Sequence, residues 1–326
     1  MRTVFFLFAL FFISHVLAQE NTVLIYSDAA YENILKYELE TFKKDLEEEG
    51  WNTKFLFKGE EYHSYHEFQK ELKLQYSIHG MKGVVLVGSF PYEDDHLIAC
   101  SKCTFFNSFV FSIKPDFWVS RIDPSLVVYI DNLSLLEDYF RRNHEYRRSN
   151  YNYQNLISSP SYAYLDKYSY FIQALKSLGG YMPKLVYNSH DFWEALNESD
   201  AAITEISVHG TSSTLSINNQ HIDSIDILYR SQLKSSFLDL YSCEGGKPVN
   251  GNPASAFLFA QNSKVLAVSA RSAFSSSLSQ VYAHYLNSIS GGVGDIFLEN
   301  YSWANHAMPH YNGRILLGDG TLKLEK

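Results

Sequence analysis

Residues 82–89 read KGVVLVGS, a nearly continuous β-branched run stopped by Gly88, Ser89, Phe90 and Pro91. A strand covered by helices on both faces needs an unbroken apolar run, whereas a half-exposed strand alternates. The run therefore predicts a central strand of a parallel sheet, and the sequence on either side agrees. Upstream, TVLIYS (Thr22–Ser27) is a short apolar strand, Asp28 caps a helical stretch to about Glu49, and Gly50 ends it. NTKFLFKG then alternates as a strand, and Tyr65–Ile78 reads as a second helix. Downstream, FWVSRI (Phe117–Ile122) is a strand, and Leu133–Arg148 is a helix with Leu133, Leu136, Tyr139 and Phe140 on one side.

The polar stretch SNYNYQNLISSPS (Ser149–Ser161) reads as a linker, after which the alternation restarts. Strands are expected at Tyr162–Leu165, Pro183–Tyr187, Ala202–Val208, Phe237–Tyr241 and Lys264–Ser269. Helices are expected at Tyr168–Leu178, Asp191–Asn197, Pro253–Asn262 and Ser279–Ser288. Strand followed by helix at this spacing means right-handed βαβ crossovers, hence an α/β fold of two similar halves, residues 19–152 and 153–326.

The chain has 326 residues, 46% of them hydrophobic and 19% charged, which excludes a disordered chain or a small disulfide scaffold. Its net charge of −9, from 27 basic and 36 acidic residues, excludes a dedicated nucleic-acid surface. Arg141, Arg142, Arg147 and Arg148 alternate with acids and aromatics and read as a solvated helix face. The opening MRTVFFLFALFFISHVLAQE has a basic start, an apolar run from Val4 to Ile13 and Val16-Leu17-Ala18 at the cleavage position. Residues 1–18 are accordingly expected to be a signal peptide, and the product to be secreted or periplasmic. No later stretch has the roughly 18 to 20 apolar residues that span a bilayer.

Export bears on the three cysteines. Cys100 and Cys103 in IACSKCTF are close enough to pair, which leaves Cys243 as a thiol that needs an explanation in an oxidising compartment. His96 with Cys100 and Cys103 offers three ligands of zinc type but no fourth nearby, so a disulfide or structural thiols are expected there, and neither metal nor cofactor.

One expected strand ends ITEISVHG, placing His209 and Gly210 just past its last apolar residue, and another ends FLDLYSC, placing Cys243 before Gly245 and Gly246. In open α/β sheets, reactive groups gather at the carboxyl ends of the strands. If these strands are neighbours, imidazole and thiol face one cleft. A free thiol is mostly protonated at neutral pH, and a nearby imidazole generates the thiolate. Cys243 would then attack a carbonyl carbon and His209 protonate the leaving amine. Backbone N–H groups at Gly210 and Cys243 would receive the oxyanion.

Several segments carry a family resemblance: VVLVGSFPY (84–92), PDFWVSRI (115–122), SVHG (207–210), DLYSCEGG (239–246), VLAVSARSAFSS (265–276) and NGRILLGDGTLKL (312–324). In this order they resemble the gingipain family of cysteine peptidases, within the caspase, legumain and gingipain clan. The resemblance implies a caspase-like three-layer α/β/α sandwich with mostly parallel sheets and two side-by-side halves, the second bearing the dyad. It implies an endopeptidase acting on protein or peptide substrates. Gly320 stands where the family has proline, a change expected to be harmless. A different class of reading is an exported binding or structural protein on a peptidase-like scaffold with Cys243 inert.

Smaller features have two readings each. Glu93, Asp94 and Asp95 follow the VGSFPY turn, where the resemblance places an auxiliary or pocket acid; Glu93 is the first choice to orient His209, and a solvated loop charge is the plainer alternative. Asp239 is expected to point away from the site, and Glu244, next to Cys243, either affects substrate charge preference or is a surface carboxylate. Arg121 and Arg271 end strands, where each can touch substrate or cap a carbonyl.

Overall fold

The computed structural model describes residues 21–324 apart from 59–61, 63, 93–98, 100–103, 107–108, 113–114, 128–129, 150–152, 154, 159, 163–183, 272–290 and 299–313. The expected signal peptide, Glu93, Asp94, Asp95, His96, Cys100, Cys103 and the helices expected at 168–178 and 279–288 lie outside the described residues.

In the first half, strands β1 (Thr22–Asp28), β2 (Asn52–Lys58) and β3 (Gly83–Val87) alternate with helices α1 (Lys36–Glu48) and α2 (Tyr65–His79). A hairpin of β4 (Thr104–Phe106) and β5 (Phe109–Ser112), strand β6 (Trp118–Ile122) and helix α3 (Asn132–Arg148) complete it. The second half carries β7 (Asn155–Ser158), β8 (Pro160–Tyr162), β9 (Lys184–Val186), α4 (Ser189–Glu198), β10 (Ala201–Ser207), β11 (His209–Gly210), β12 (Thr214–Ile217) and β13 (Gln220–Asp223). It continues with α5 (Ser224–Arg230), β14 (Phe237–Tyr241), α6 (Pro253–Phe259), β15 (Ala267–Arg271) and β16 (Arg314–Gly318).

One mostly parallel sheet of 11 strands runs through both halves in the order β2-β1-β3-β6-β16-β15-β14-β10-β8-β9, with β7 also paired to β10. Strand β16 joins them, antiparallel to β15 and meeting β6 at Leu317↔Arg121. Alternate residues of each strand enter different cores. Val85 and Val87 of β3 pack with α1 and α3 side chains on one face, while Val84 and Leu86 pack with Phe68 and Leu72 of α2 on the other. Helices α4, α5 and α6 continue the first layer, and residues 293–298 cover the second face beside β14 to β16. This is the three-layer α/β/α arrangement. Among the described residues no helix is long and apolar enough to cross a membrane.

Three expectations are corrected. Asp28 caps a single 3-10 turn, Ala29–Tyr31, and the α-helix begins only at Lys36. The expected linker holds β7 and β8, which pair in parallel with β10; strands this short and polar give no hydrophobic period to read. The arginines of α3 are not one solvated face. Arg142 is buried and donates to the carbonyls of Val265 and Leu258 at 2.7 and 2.9 Å. Arg147 is 3% exposed, paired with Glu49 at 2.5 Å and with Asp319, and only Arg141 and Arg148 lie outside.

Gly320 fits its surroundings closely. A Cβ there would lie 2.5 Å from the Trp118 ring, and Gly83 and Gly294 press on the same indole. Glycine at 320 is therefore matched to Trp118, and the proline of the resembling family would collide with it.

Candidate active site

Strands β10 and β14 pair in parallel from Ile203↔Phe237 to Ser207↔Tyr241, and the Val208 N–H continues the ladder to the Tyr241 carbonyl at 3.2 Å. His209 and Cys243 each stand two residues beyond the last pair. Neighbouring strands are about 4.8 Å apart, so equal register delivers both residues to the same edge of the sheet. His209 is exposed and Cys243 half-buried with a free thiol, so solvent reaches both.

The two turns touch because residue 210 has no side chain. A Cβ on Gly210 would run into the Ser242 hydroxyl and lie 2.8 Å from the Thr214 carbonyl. Ser242 is 1% exposed, and its hydroxyl has no hydrogen-bond partner among the described residues. The chain after the thiol is pinned on several sides. Glu244 takes the left-handed conformation (φ 54°), uncommon outside glycine. The Gly246 N–H bonds the Arg271 carbonyl at 2.6 Å, and the Ala254 N–H bonds the Gly245 carbonyl at 3.0 Å. The Gly251 N–H reaches Leu126 in the first half at 2.7 Å. Helix α6 starts from this loop with Asn252 as its cap and Pro253 in its first turn, a favoured start because proline lacks an N–H.

Charge is buried beneath the thiol's strand. Asp239, which the sequence reading turned away from the site, is 2% exposed and paired with Arg314 of β16. Burial pushes its carboxyl above the ordinary range against the pull of Arg314 and Arg271. Arg271 lies with its guanidinium carbon 3.6 Å from the centre of the Tyr241 ring, and burial lowers its pKa. Arg121, 1% exposed, donates to the carbonyls of Phe90 and Pro91 at 3.3 and 2.9 Å and lies over the Tyr92 ring. The carbonyl-capping reading holds for Arg121, which fixes the turn just before Glu93. Glu244 pairs with Lys247 at 3.2 Å.

His209 belongs to a small antiparallel sheet of β11, β12 and β13, closed by a turn in which Asn218 and Asn219 have φ of 49° and 63°. Two consecutive positive φ values define the type I′ hairpin turn that asparagine favours. The sequence reading missed this hairpin, although Asn218-Asn219 between the alternating stretches TLSI and QHID was its signal. Among the described residues no group of His, Cys, Asp and Glu could hold a metal ion.

The chain matches no family model and no curated protein. It is similar in structure to gingipain R (RgpB), described as an Arg-specific cysteine proteinase, with a TM-score of 0.63 and 14% identity over 94% of this chain and 78% of that one. A complex of the Porphyromonas gingivalis RgpB pro- and mature domains gives a TM-score of 0.63 and 13% identity over 93% and 79%. The protein therefore has the α/β fold of gingipain R, with mostly parallel strands between layers of helices.

Proposed function

We propose that the protein is a cysteine endopeptidase that uses His209 and Cys243. The observation that supports this reading is the matched register of β10 and β14, which brings positions 209 and 243 to the same edge of the sheet. In the reaction, the Cys243 sulfur attacks the carbonyl carbon of a peptide bond. Its proton passes through His209 to the leaving amine as the C–N bond breaks, leaving a thioester. Water adds to the thioester, releasing the carboxylic acid and regenerating the free thiol. Gly210 and Cys243 supply backbone N–H groups for the oxyanion. The substrates are proteins or peptides, and the protein acts after export and removal of residues 1–18.

The test incubates the purified protein and Cys243→Ala with a diverse peptide library and a thiol-directed inhibitor, read by mass spectrometry. Cleavage and active-site labelling should occur in the wild type and vanish in the variant. Equal turnover by both would refute Cys243 as the nucleophile, and none by either would leave a peptidase-like scaffold that binds without cutting.

A further inference from the structure

One end of the sheet is a long strand with an open outer side. Among the described residues β2 pairs with β1 and with no other strand, whereas β9 at the opposite end has only 3 residues. In the ladder to β1, Thr22 stands opposite Asn52, and the Asn52 N–H donates to the Asn21 carbonyl at 2.9 Å. A strand turns the backbone groups of alternate residues to alternate sides. Asn52, Lys54, Leu56 and Lys58 therefore spend theirs on β1, and Thr53, Phe55 and Phe57 present N–H and C=O groups outward. Between α1 and this strand runs a groove of about 510 Å³, with Leu39, Lys43 and Glu47 on the helix side and Phe55 and Phe57 on the strand side. The two phenylalanine rings stack, with 5.8 Å between centres and 13° between planes, and both are half-buried. Leu56 on the other face is half-buried too, so the edge is apolar on both faces.

An open edge of this length invites pairing with another chain, and lysines on an edge limit it. Here Lys54 and Lys58 also select a register. An antiparallel partner bonds only where outward residues stand opposite outward residues. For two copies of β2 overlapping over more than half their length, the two-fold axis then falls at residue 54, 55 or 56. At 54, Lys54 meets the partner's Lys54, and at 56 it meets the partner's Lys58; like charges directly opposed are destabilising. At 55 no like charges meet. Phe55 stands opposite the partner's Phe55, Thr53 opposite the partner's Phe57, Lys54 opposite the partner's Leu56 and Asn52 opposite the partner's Lys58. Opposed residues share a face, so the stacked rings of the two copies join in one stripe. We propose that the protein dimerises through β2 with the two-fold at Phe55, a second copy adding its strand to make one continuous sheet. Such a contact is the same patch on both copies and closes at two. The strands run antiparallel across the seam, so the carboxyl edges that carry His209 and Cys243 point in opposite directions, on strands far from it. The inference is independent of the cysteine-peptidase reading.

Sedimentation velocity on the purified protein from about 1 to about 100 µM, the range of weak association, should show monomer passing to dimer and nothing larger. Position 52 reads the register. Asn52 is exposed, and its side-chain amide donates to Thr22 Oγ1 at 3.0 Å, an amide that Asn52→Glu and Asn52→Lys both remove. N52E meets the partner's Lys58 with opposite charge and should tighten the dimer, whereas N52K meets it with like charge and should loosen it. Each shift should be about twofold to about thirtyfold in the dissociation constant, since the two-fold axis repeats the pair. N52K combined with Lys58→Glu should return association to the wild-type level. Melting temperatures of N52E and N52K at the lowest concentration should agree, which keeps the monomer's fold out of the comparison. Monomer at every concentration refutes the proposal, as does growth beyond two copies, which would mean a head-to-tail contact. A dimer that treats N52E and N52K alike refutes the seam and assigns the contact to another surface.

Discussion

At the scale of single residues, position along a strand carried most of the information. The strand-end positions of His209 and Cys243 were legible because each comes just after an apolar run, and the end of a parallel strand is where a side chain becomes available to a ligand. His209→Ala should lower turnover by about a hundredfold or more, the usual contribution of a placed acid or base. A change confined to KM would instead make His209 a binding residue. That Phe55 and Phe57 face an open edge was not legible, because nothing in the sequence says which strand lies outermost. The pairing of Asp239 was not legible for a related reason, since its partner Arg314 lies far along the chain on a strand that is not its neighbour.

At the scale of elements, long-range charge pairs escaped the sequence while hydrophobic periods did not. The pattern of α3 gave Leu136, Tyr139 and Phe140 correctly as buried, yet the same helix inserts Arg147 among Glu49, Asp319, Thr321 and Asn143. Burial works against that guanidinium, but Asp319 and Glu49 outweigh it and hold it above its ordinary range. Arg147→Met strands Asp319, which is fully buried, and should cost about 3–5 kcal/mol, the usual penalty for breaking a buried pair. A shift in the urea midpoint at constant slope measures it. Gly320→Ala should cost about 1–3 kcal/mol by overpacking against Trp118. Trp118→Leu in the same chain should restore part of that loss, whereas additive losses would show that the two residues do not share the space.

At the scale of the whole molecule, the alternation of strands and helices was enough to give the α/β class. Edman sequencing of exported protein should begin at Gln19, and retention of the first 18 residues would refute the cleavage expected from Val16-Leu17-Ala18. What the pattern could not give was the seam. Strand β16 reads as an ordinary apolar run, and its place between β6 and β15 depends on partners from both halves.

That placement imposes an order on synthesis. Among the described strands β16 is made last, so a growing chain holds β6 and β15 as open edges until residues 314–318 emerge. Open edges invite pairing with other chains, and a product stopped at residue 313 should aggregate where the longer chain stays monodisperse in light scattering. The final strand also brings Arg314, the counter-charge under the thiol's own strand. A nascent chain therefore owns its imidazole and its thiol well before it owns the brace beneath them, and reactivity at Cys243 should arrive only as a late step of biogenesis.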